Sequence, residues 1–463
     1  MTDFPVHNPA TYETITRVPD HGAAEASAAV DAAAAAAAAW AATPTRSRSG
    51  ILHSAFELML RDRDRLADLI VAENGKPVAD ARAEVAYAAE FFRWYAEEAV
   101  RPTGTYGRSP SGSTRNIVTQ RPIGIAALVT PWNFPAAMAT RKLAPALAAG
   151  CTTVLKPAAE TPLTALAVAE LLAEAGVPDG VVTTVTTTDA ATVVGTWLDD
   201  PRVRKLSFTG STSVGRLLLR HAAARVVNTS MELGGNAPFI VTADADLDAA
   251  VDGAMIAKFR NGGQACTAAN RFYIHTTIAD EFLTRFGQRI QALRVGPGAD
   301  PATDIGPLIS ARAVDTITAL IDSAVAAGAR ITACADLPDN AKGHFLSPTL
   351  LTDVPPDADI VGQEIFGPVA PVITWHNEDD LLSMVNDSEY GLAAYVYTGD
   401  LQRAIRLAEA IDTGMVGINR GLVSDPSAPF GGTKQSGQGR EGGPDGLHQY
   451  TETQYLSLDW PTS

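Results

Sequence analysis

Cys266, in the stretch NGGQACTAANR over residues 261–271, stands among small and polar residues, without the apolar neighbours that suit a merely buried thiol. A thiolate and not a thiol attacks carbon, so a reactive cysteine needs a lowered pKa or a base. The nearest histidine is His275, on the following strand pattern, which weakens a cysteine–histidine hydrolase reading. Glu232, in MELGGN, sits at a strand end before two glycines, a place where a carboxylate can swing and reach water. Asn133, between aromatics in TPWNFP, carries amide donors that can be aimed at a developing oxyanion. Lys156 directly follows the apolar run Thr152–Leu155, and Gly210 lies in LSFTGSTSVG, where a strand, a turn and a helix start in succession. A helix start offers free amide donors that suit a phosphate. Each residue also has a plain structural reading. Cysteine is often a small core residue, asparagine caps turns, lysine is usually solvated, and strand-turn-helix needs no ligand.

The elements that must position these groups read as follows. Residues 21–100 have few breakers and a low-complexity alanine run, Ala32–Ala39, which predicts helix. Asn74-Gly75-Lys76-Pro77 interrupts Asp62–Val100, predicting two helices joined there. Proline, glycine and serine accumulate over Arg101–Ser113, and Thr114–Gln120 then reads as part of a short exposed hairpin. From Gly124 to Asn228 short apolar runs alternate with helical patterns, the rhythm of a parallel sheet with helices on both faces. After Gly234-Gly235 that rhythm restarts, so a second α/β domain is expected. The segment Tyr450–Leu458 alternates in strand fashion and is expected to pair with another segment or another subunit.

With 463 residues the chain exceeds what one core supports, so two or three domains are expected. Hydrophobic residues make up 46% and charged residues 19%, ordinary globular values, and no apolar run approaches the ~20 residues of a membrane span. The first residues lack the pattern of a secretory signal, which leads to the expectation of a cytoplasmic protein. The formal charge of −16 disfavours nucleic acid and anionic lipid while leaving room for a local basic pocket. Three widely spaced cysteines supply neither a disulfide framework nor a CxxC metal knuckle. The HExxH, GxSxG and P-loop signatures do not occur, so no metal site is expected.

Seven stretches, TPWNFP, VLKPAAETP, FTGSTSVG, MELGGNAP, NGGQACTAANR, QEIFGPV and APFGGTKQSGQGRE, occur in the order found in the aldehyde dehydrogenase superfamily. The resemblance runs from about Asn8 to Tyr455, and within the superfamily the chain looks most like the NADP-linked succinate-semialdehyde dehydrogenases. It implies an α/β fold of two parallel-sheet domains plus a small β oligomerisation element. The expected division is 1–103 with 123–234 for dinucleotide binding, 235–434 for catalysis, and 104–122 with 435–463 for a homodimer or homotetramer contact. It makes Cys266 the nucleophile, Asn133 with the Cys266 N–H the oxyanion donors, and Glu232 the base that activates water on the thioester. Glu364 and Phe366 would face the nicotinamide ribose, Gly210 and Ser211 the pyrophosphate, and Trp132 and Lys156 the adenosine half. Arg141, Arg271 and Ser424 would hold a distal carboxylate, with charge-assisted donors suited to that task.

Departures from the pattern carry information too. Many NAD-preferring members have a glutamate where this chain has Ala159, with Glu160 next; losing that carboxylate removes repulsion toward a 2′-phosphate, so NADP is expected, with NAD possible. Ala268 stands where some relatives place a second cysteine, so no disulfide switch is expected. Thr183 and Thr187 replace the usual asparagine and glycine, and Arg420 adds a cation near the expected pocket. Other carboxylated or aliphatic aldehydes, such as glutarate semialdehyde, remain alternatives to succinate semialdehyde, as does a non-redox thioesterase or binding protein.

Overall fold

Alanine-rich stretches without breakers form the helices here, and turn residues divide them. In the computed structural model, which describes residues 2–339 and 342–460, the first hundred residues hold α1 (Ala23–Ala42), α2 (Thr45–Arg61), α3 (Arg63–Asn74) and α4 (Val78–Glu98). Residues 1, 340–341 and 461–463, included in the domain ranges expected above, lie outside the described residues. The expected break at 74–77 separates α3 from α4, with Gly75 left-handed at the α3 C-terminus.

The next helices are α5 (Pro135–Ala149), α6 (Pro162–Glu174), α7 (Ala190–Asp199) and α8 (Thr212–Ala223), and between them run short, mostly buried strands. Strands 125–129, 153–156, 182–184, 203–209 and 228–232 pair in parallel. Helices α2 to α6 share one hydrophobic core on one face of this sheet, and α1 packs with Trp197 of α7 on the other. Two carboxylates fix the helix starts that border the site. Glu84 of α4 accepts from the N–H groups of Ala136 and Ala137 (2.9 and 3.3 Å), and Glu73 of α3 accepts from those of Leu163 and Thr164 (2.7 and 2.9 Å).

A second sheet has seven strands in the order 330–334, 349–352, 369–375, 269–275, 237–241, 393–397 and 415–418, all parallel except the first. The two parallel sheets part company between residues 232 and 237 of the chain. The third sheet is antiparallel, with 114–122 between 105–108 and 451–459.

Two features depart from the sequence reading. Residues 2–7 and 14–20 form an antiparallel hairpin that the sequence pass left unassigned, and it packs against α6. Residues 437–438, grouped above with the oligomerisation element, instead add an antiparallel edge to the first sheet by pairing with Met231 and Glu232. No single helix among the described residues is long and apolar enough to cross a membrane.

Candidate active site

The nucleophile loop rests on backbone conformations that few residues accept. Beyond α9 (Leu247–Phe259), Asn261, Gly262 and Gly263 are all left-handed, with φ of 53°, 62° and 75°. Glycine adopts that region freely and asparagine tolerates it. At Gly263 a Cβ would also fall 2.2 Å from the Gly367 carbonyl oxygen. The Asn261 side-chain amide donates to the carbonyl oxygens of Asn133 (2.8 Å) and Gln264 (3.1 Å), and Asp80 accepts from the Asn261 N–H (2.7 Å). Gln264 accepts from the Ile309 N–H at 3.0 Å. Thus the chain is fixed on both sides before it reaches Cys266.

Cys266 and Asn133 line one cleft of about 250 Å³. The Asn133 amide nitrogen donates to the Gln264 carbonyl at 3.1 Å, so it already points at the cysteine loop. Burial pushes the Cys266 thiol up to about 12; Arg141 opposes this, Glu364 and Glu232 add to it, and Arg260 opposes.

Glu232 ends the strand 228–232, as the sequence reading expected, but it is buried beside the cleft and does not line it. Its neighbours Leu233 and Gly234 do. Among the described residues neither carboxylate oxygen has a hydrogen-bond partner. Burial raises its pKa well above the usual value; Glu441 adds, while Arg141, Lys142 and Arg440 pull it back. Glu441 is itself held below its ordinary value despite burial, because Lys142 and Arg141 surround it.

On another wall Trp132 and Phe366 meet edge to face, with ring centroids 5.4 Å apart, and Thr209, Gly210 and Ser211 lead into α8. The Thr209 hydroxyl is buried without a partner among the described residues, and a Cβ on Gly210 would lie 2.5 Å from the Phe208 ring. Glu364 faces the same cleft and accepts from the Gly235 N–H at 3.0 Å. Burial raises Glu364 to about 7, against the pull of Gly235 and Lys258.

The far end of the cleft carries Arg141, Arg260, Tyr87, Ser424 and Phe430. Arg141 is buried on α5, with Nε 2.8 Å from Glu441 and its guanidinium 4.0 Å from the centre of the Phe430 ring. Its Nη2 has no hydrogen-bond partner among the described residues. Arg260 is half-buried over the Phe134 ring at 5.0 Å, and among the described residues it forms no salt bridge.

Three expectations need correction. Arg271 does not reach the cleft: its guanidinium is buried and donates to the carbonyl oxygens of Asn236 (3.0 Å), Met384 (3.2 Å) and Val385 (3.1 Å). It ties the Asn236 backbone to the C-terminal end of the helix Glu378–Asn386, because its strand, 269–275, runs into the second sheet and carries the side chain away from Cys266. Trp132 belongs with Phe366 and Cys266, apart from Lys156, because the 130–134 turn folds over the cysteine loop. Lys156 and Ala159, expected at the adenosine half and not at Cys266, need no correction: Lys156 is buried at its strand end outside this cleft, and Ala159 borders a separate cavity of about 470 Å³ with Glu160, Tyr12 and His344. Arg420 is exposed and also lies outside the cleft.

Arg260 is the residue that the sequence reading missed. Its signal was present in KFRNGGQAC, six residues before the nucleophile, directly after the helix that delivers the cysteine loop. Tyr87, Lys142 and Glu441 were missed as well, since helix-buried and tail positions give no local pattern.

Comparison with known proteins bears on the same residues. The profile described as "Aldehyde dehydrogenase family" matches residues 1–456. A succinate-semialdehyde dehydrogenase of Paenarthrobacter nicotinovorans is 53% identical over 437 residues, covering 94% of this chain and 97% of its own length. A glutarate-semialdehyde dehydrogenase of Pseudomonas putida is 48% identical, covering 98% of this chain and 94% of its own. Among solved structures, an E. coli NADP-dependent enzyme superposes with a TM-score of 0.97 at 47% identity, covering 99% of this chain and 95% of its own.

Proposed function

We propose that this chain, which belongs to the aldehyde dehydrogenase family, oxidises a short aldehyde bearing a second, distal carboxylate, with succinate semialdehyde the best substrate and NADP preferred over NAD. The observation that carries the substrate reading is the pair Arg141 and Arg260 at the end of the cleft that holds Cys266, with one guanidinium nitrogen of Arg141 buried and unpaired. A buried donor without a partner costs free energy unless a ligand satisfies it. A carboxylate does so with charge-assisted hydrogen bonds, and Ser424 and Tyr87 add hydroxyl donors. The names of the Paenarthrobacter and Pseudomonas relatives support a dicarboxylic semialdehyde, and the E. coli structure supports NADP.

The residues fit a nicotinamide dinucleotide. The α8 start offers free N–H groups for a pyrophosphate, Gly210 has no room for a side chain, and Thr209 has an unused buried hydroxyl. Glu364 would accept from the nicotinamide-side ribose, Trp132 and Phe366 would flank the ring, and Lys156 with Ala159 would meet the adenosine ribose. Bound there, the dinucleotide supplies the hydride acceptor. The Cys266 thiolate attacks the aldehyde carbon, and the oxyanion is held by the Asn133 amide and the Cys266 N–H. Loss of hydride leaves a thioester on Cys266. Glu232, swung out of its unpartnered niche, then takes a proton from water, and the acid leaves. Arg141 and Arg260 draw the thiol toward ionisation while fixing the far end of the substrate.

The exposed apolar residues Tyr106, Tyr455, Leu456 and Leu458 of the third sheet support assembly as a cytoplasmic homodimer or homotetramer. A panel of aldehydes with and without a terminal carboxylate, run with both dinucleotides, tests the reading. Succinate semialdehyde should exceed a neutral aldehyde of equal length, and glutarate semialdehyde reports the pocket's length. Arg260→Met should raise KM roughly 10–100-fold for the carboxylated aldehydes alone, the loss expected for a charge-assisted contact. Equal effects on neutral aldehydes would remove Arg260 from recognition.

A further inference from the structure

Lys258 is a buried cation that the mechanism above leaves unused. It lies on the last turn of α9 and is 0% exposed. Among the described residues no carboxylate comes within salt-bridge distance of it. Its ammonium group donates to the Asn270 side-chain oxygen at 3.0 Å. A buried ammonium held by an amide alone is costly, and an apolar side chain of similar length would fill the same space without that cost.

The contacts beyond Asn270 lead to the cleft. The Asn270 amide nitrogen donates to the Gly235 carbonyl at 3.4 Å, and the Gly235 N–H donates to Glu364 at 3.0 Å. Gly235 has no freedom of its own, because a Cβ there would lie 2.2 Å from the Cys266 carbonyl oxygen. Residue 235 is therefore held between the nucleophile loop on one side and the Lys258–Asn270 pair on the other. Burial lowers Lys258 to about 7 and raises Glu364 to about 7, and each opposes the other's shift across the low-dielectric interior.

We propose that Lys258 is a positioning residue for the dinucleotide: through Asn270 and Gly235 it keeps the Glu364 carboxylate charged and turned into the cleft, ready to accept from ribose hydroxyls. This rests on the reading that Glu364 binds the nicotinamide-side ribose. Lys258 touches neither substrate nor Cys266, so its removal should change dinucleotide affinity more than the chemistry of the thiol.

The experiment is a fluorescence titration of the full chain with NADPH, using Lys258→Met, Lys258→Arg, Glu364→Gln and the Lys258→Met/Glu364→Gln double variant. Glu364→Gln should raise Kd roughly tenfold, and an unchanged Kd would remove Glu364 from binding whatever Lys258 does. Lys258→Met should raise Kd roughly tenfold in the native background but less than about twofold beside Glu364→Gln, the non-additivity expected of coupled residues. Lys258→Arg should recover most of the affinity. Alkylation of Cys266 by iodoacetamide without dinucleotide should keep its native rate within about twofold in the Lys258 single variants, showing an intact loop, since Lys258 does not touch Cys266. If Lys258→Met does not fold, Lys258→Gln removes the charge and keeps a donor, and is read in the same way. An equal loss in both backgrounds, or none in the native one, overturns the proposal.

Discussion

Two glutamates flank Cys266, and both are held above their ordinary pKa, but by different surroundings. Glu364 is anchored: one oxygen accepts from the Gly235 N–H, and Lys258 stands behind it. Glu232 is free: among the described residues neither oxygen has a hydrogen-bond partner, and the charge that acts on it most strongly is Glu441, countered by Arg141 and Lys142. A carboxylate fixed by a backbone donor suits steady binding, since its geometry is set before a ligand arrives. A carboxylate without a partner loses little on rotating and suits proton transfer, where it must reach water at one stage and withdraw at another. The same residue type thus divides into holding and moving roles according to whether a backbone N–H meets it.

The largest expected effect separates these roles kinetically. Glu232→Gln should retain a burst of reduced dinucleotide at the first turnover while steady-state turnover falls roughly 10²–10⁴-fold, the usual contribution of a positioned general base. Glu364→Gln should instead show weakened dinucleotide affinity without a stalled thioester. Rapid-quench detection of acyl-enzyme distinguishes them, and acyl-enzyme in both variants would erase the division of labour.

A backbone change sharpens the contrast from the anchored side. Gly235→Ala places a Cβ 2.2 Å from the Cys266 carbonyl, so residue 235 and its donor to Glu364 must move. Displacements near 1 Å cost roughly 10² in rate, and both dinucleotide Kd and the acylation rate should suffer. The acyl-enzyme that does form should be hydrolysed at the native rate, because Glu232 takes no support from Gly235. Slowed hydrolysis would place both glutamates on one structural unit.

The sequence made the strand-end positions legible, because the chemistry that needs them also needs glycines, prolines and asparagines in fixed neighbourhoods. Asn133 and Gly210 were read that way, Cys266 from its small and polar neighbours, and Glu364 from the family resemblance alone; all four share one cleft. The two-sheet architecture was legible too, since apolar runs alternating with helical patterns have few other solutions. Arg271 and Arg260 show where this reading stops. Both lie within six residues of Cys266, and only the left-handed run at 261–263 decides that Arg260 stays at the cleft while strand 269–275 carries Arg271 off. Glu441 was grouped with an outlying tail, although it is buried against Lys142 and Arg141 more than 290 residues earlier. Contacts so distant in sequence leave no periodicity to read. The N-terminal hairpin was missed for a milder reason, that its strands are half exposed and carry mixed polar residues.

The smallest expected effect is on stability, and its sign follows from the free glutamate. The folded pKa of Glu232 lies well above its ordinary 4.5, so the native state resists ionising a group that the unfolded chain ionises readily. Below about pH 4.5 both states keep the proton and the residue is neutral to stability. As pH rises from there toward the folded pKa, native stability is lost progressively. Glu232→Gln removes that loss, so its Tm should match the native protein near pH 4.5 and exceed it increasingly as the pH is raised to 8. Glu364→Gln should gain less, because it strips Lys258 of its nearest acid and leaves the Gly235 N–H with a weaker acceptor. Thermal melts of both variants across pH 4.5–8 measure the difference. Equal gains would mean that the Gly235 N–H and Lys258 do not anchor Glu364, and the two carboxylates would then differ in position alone.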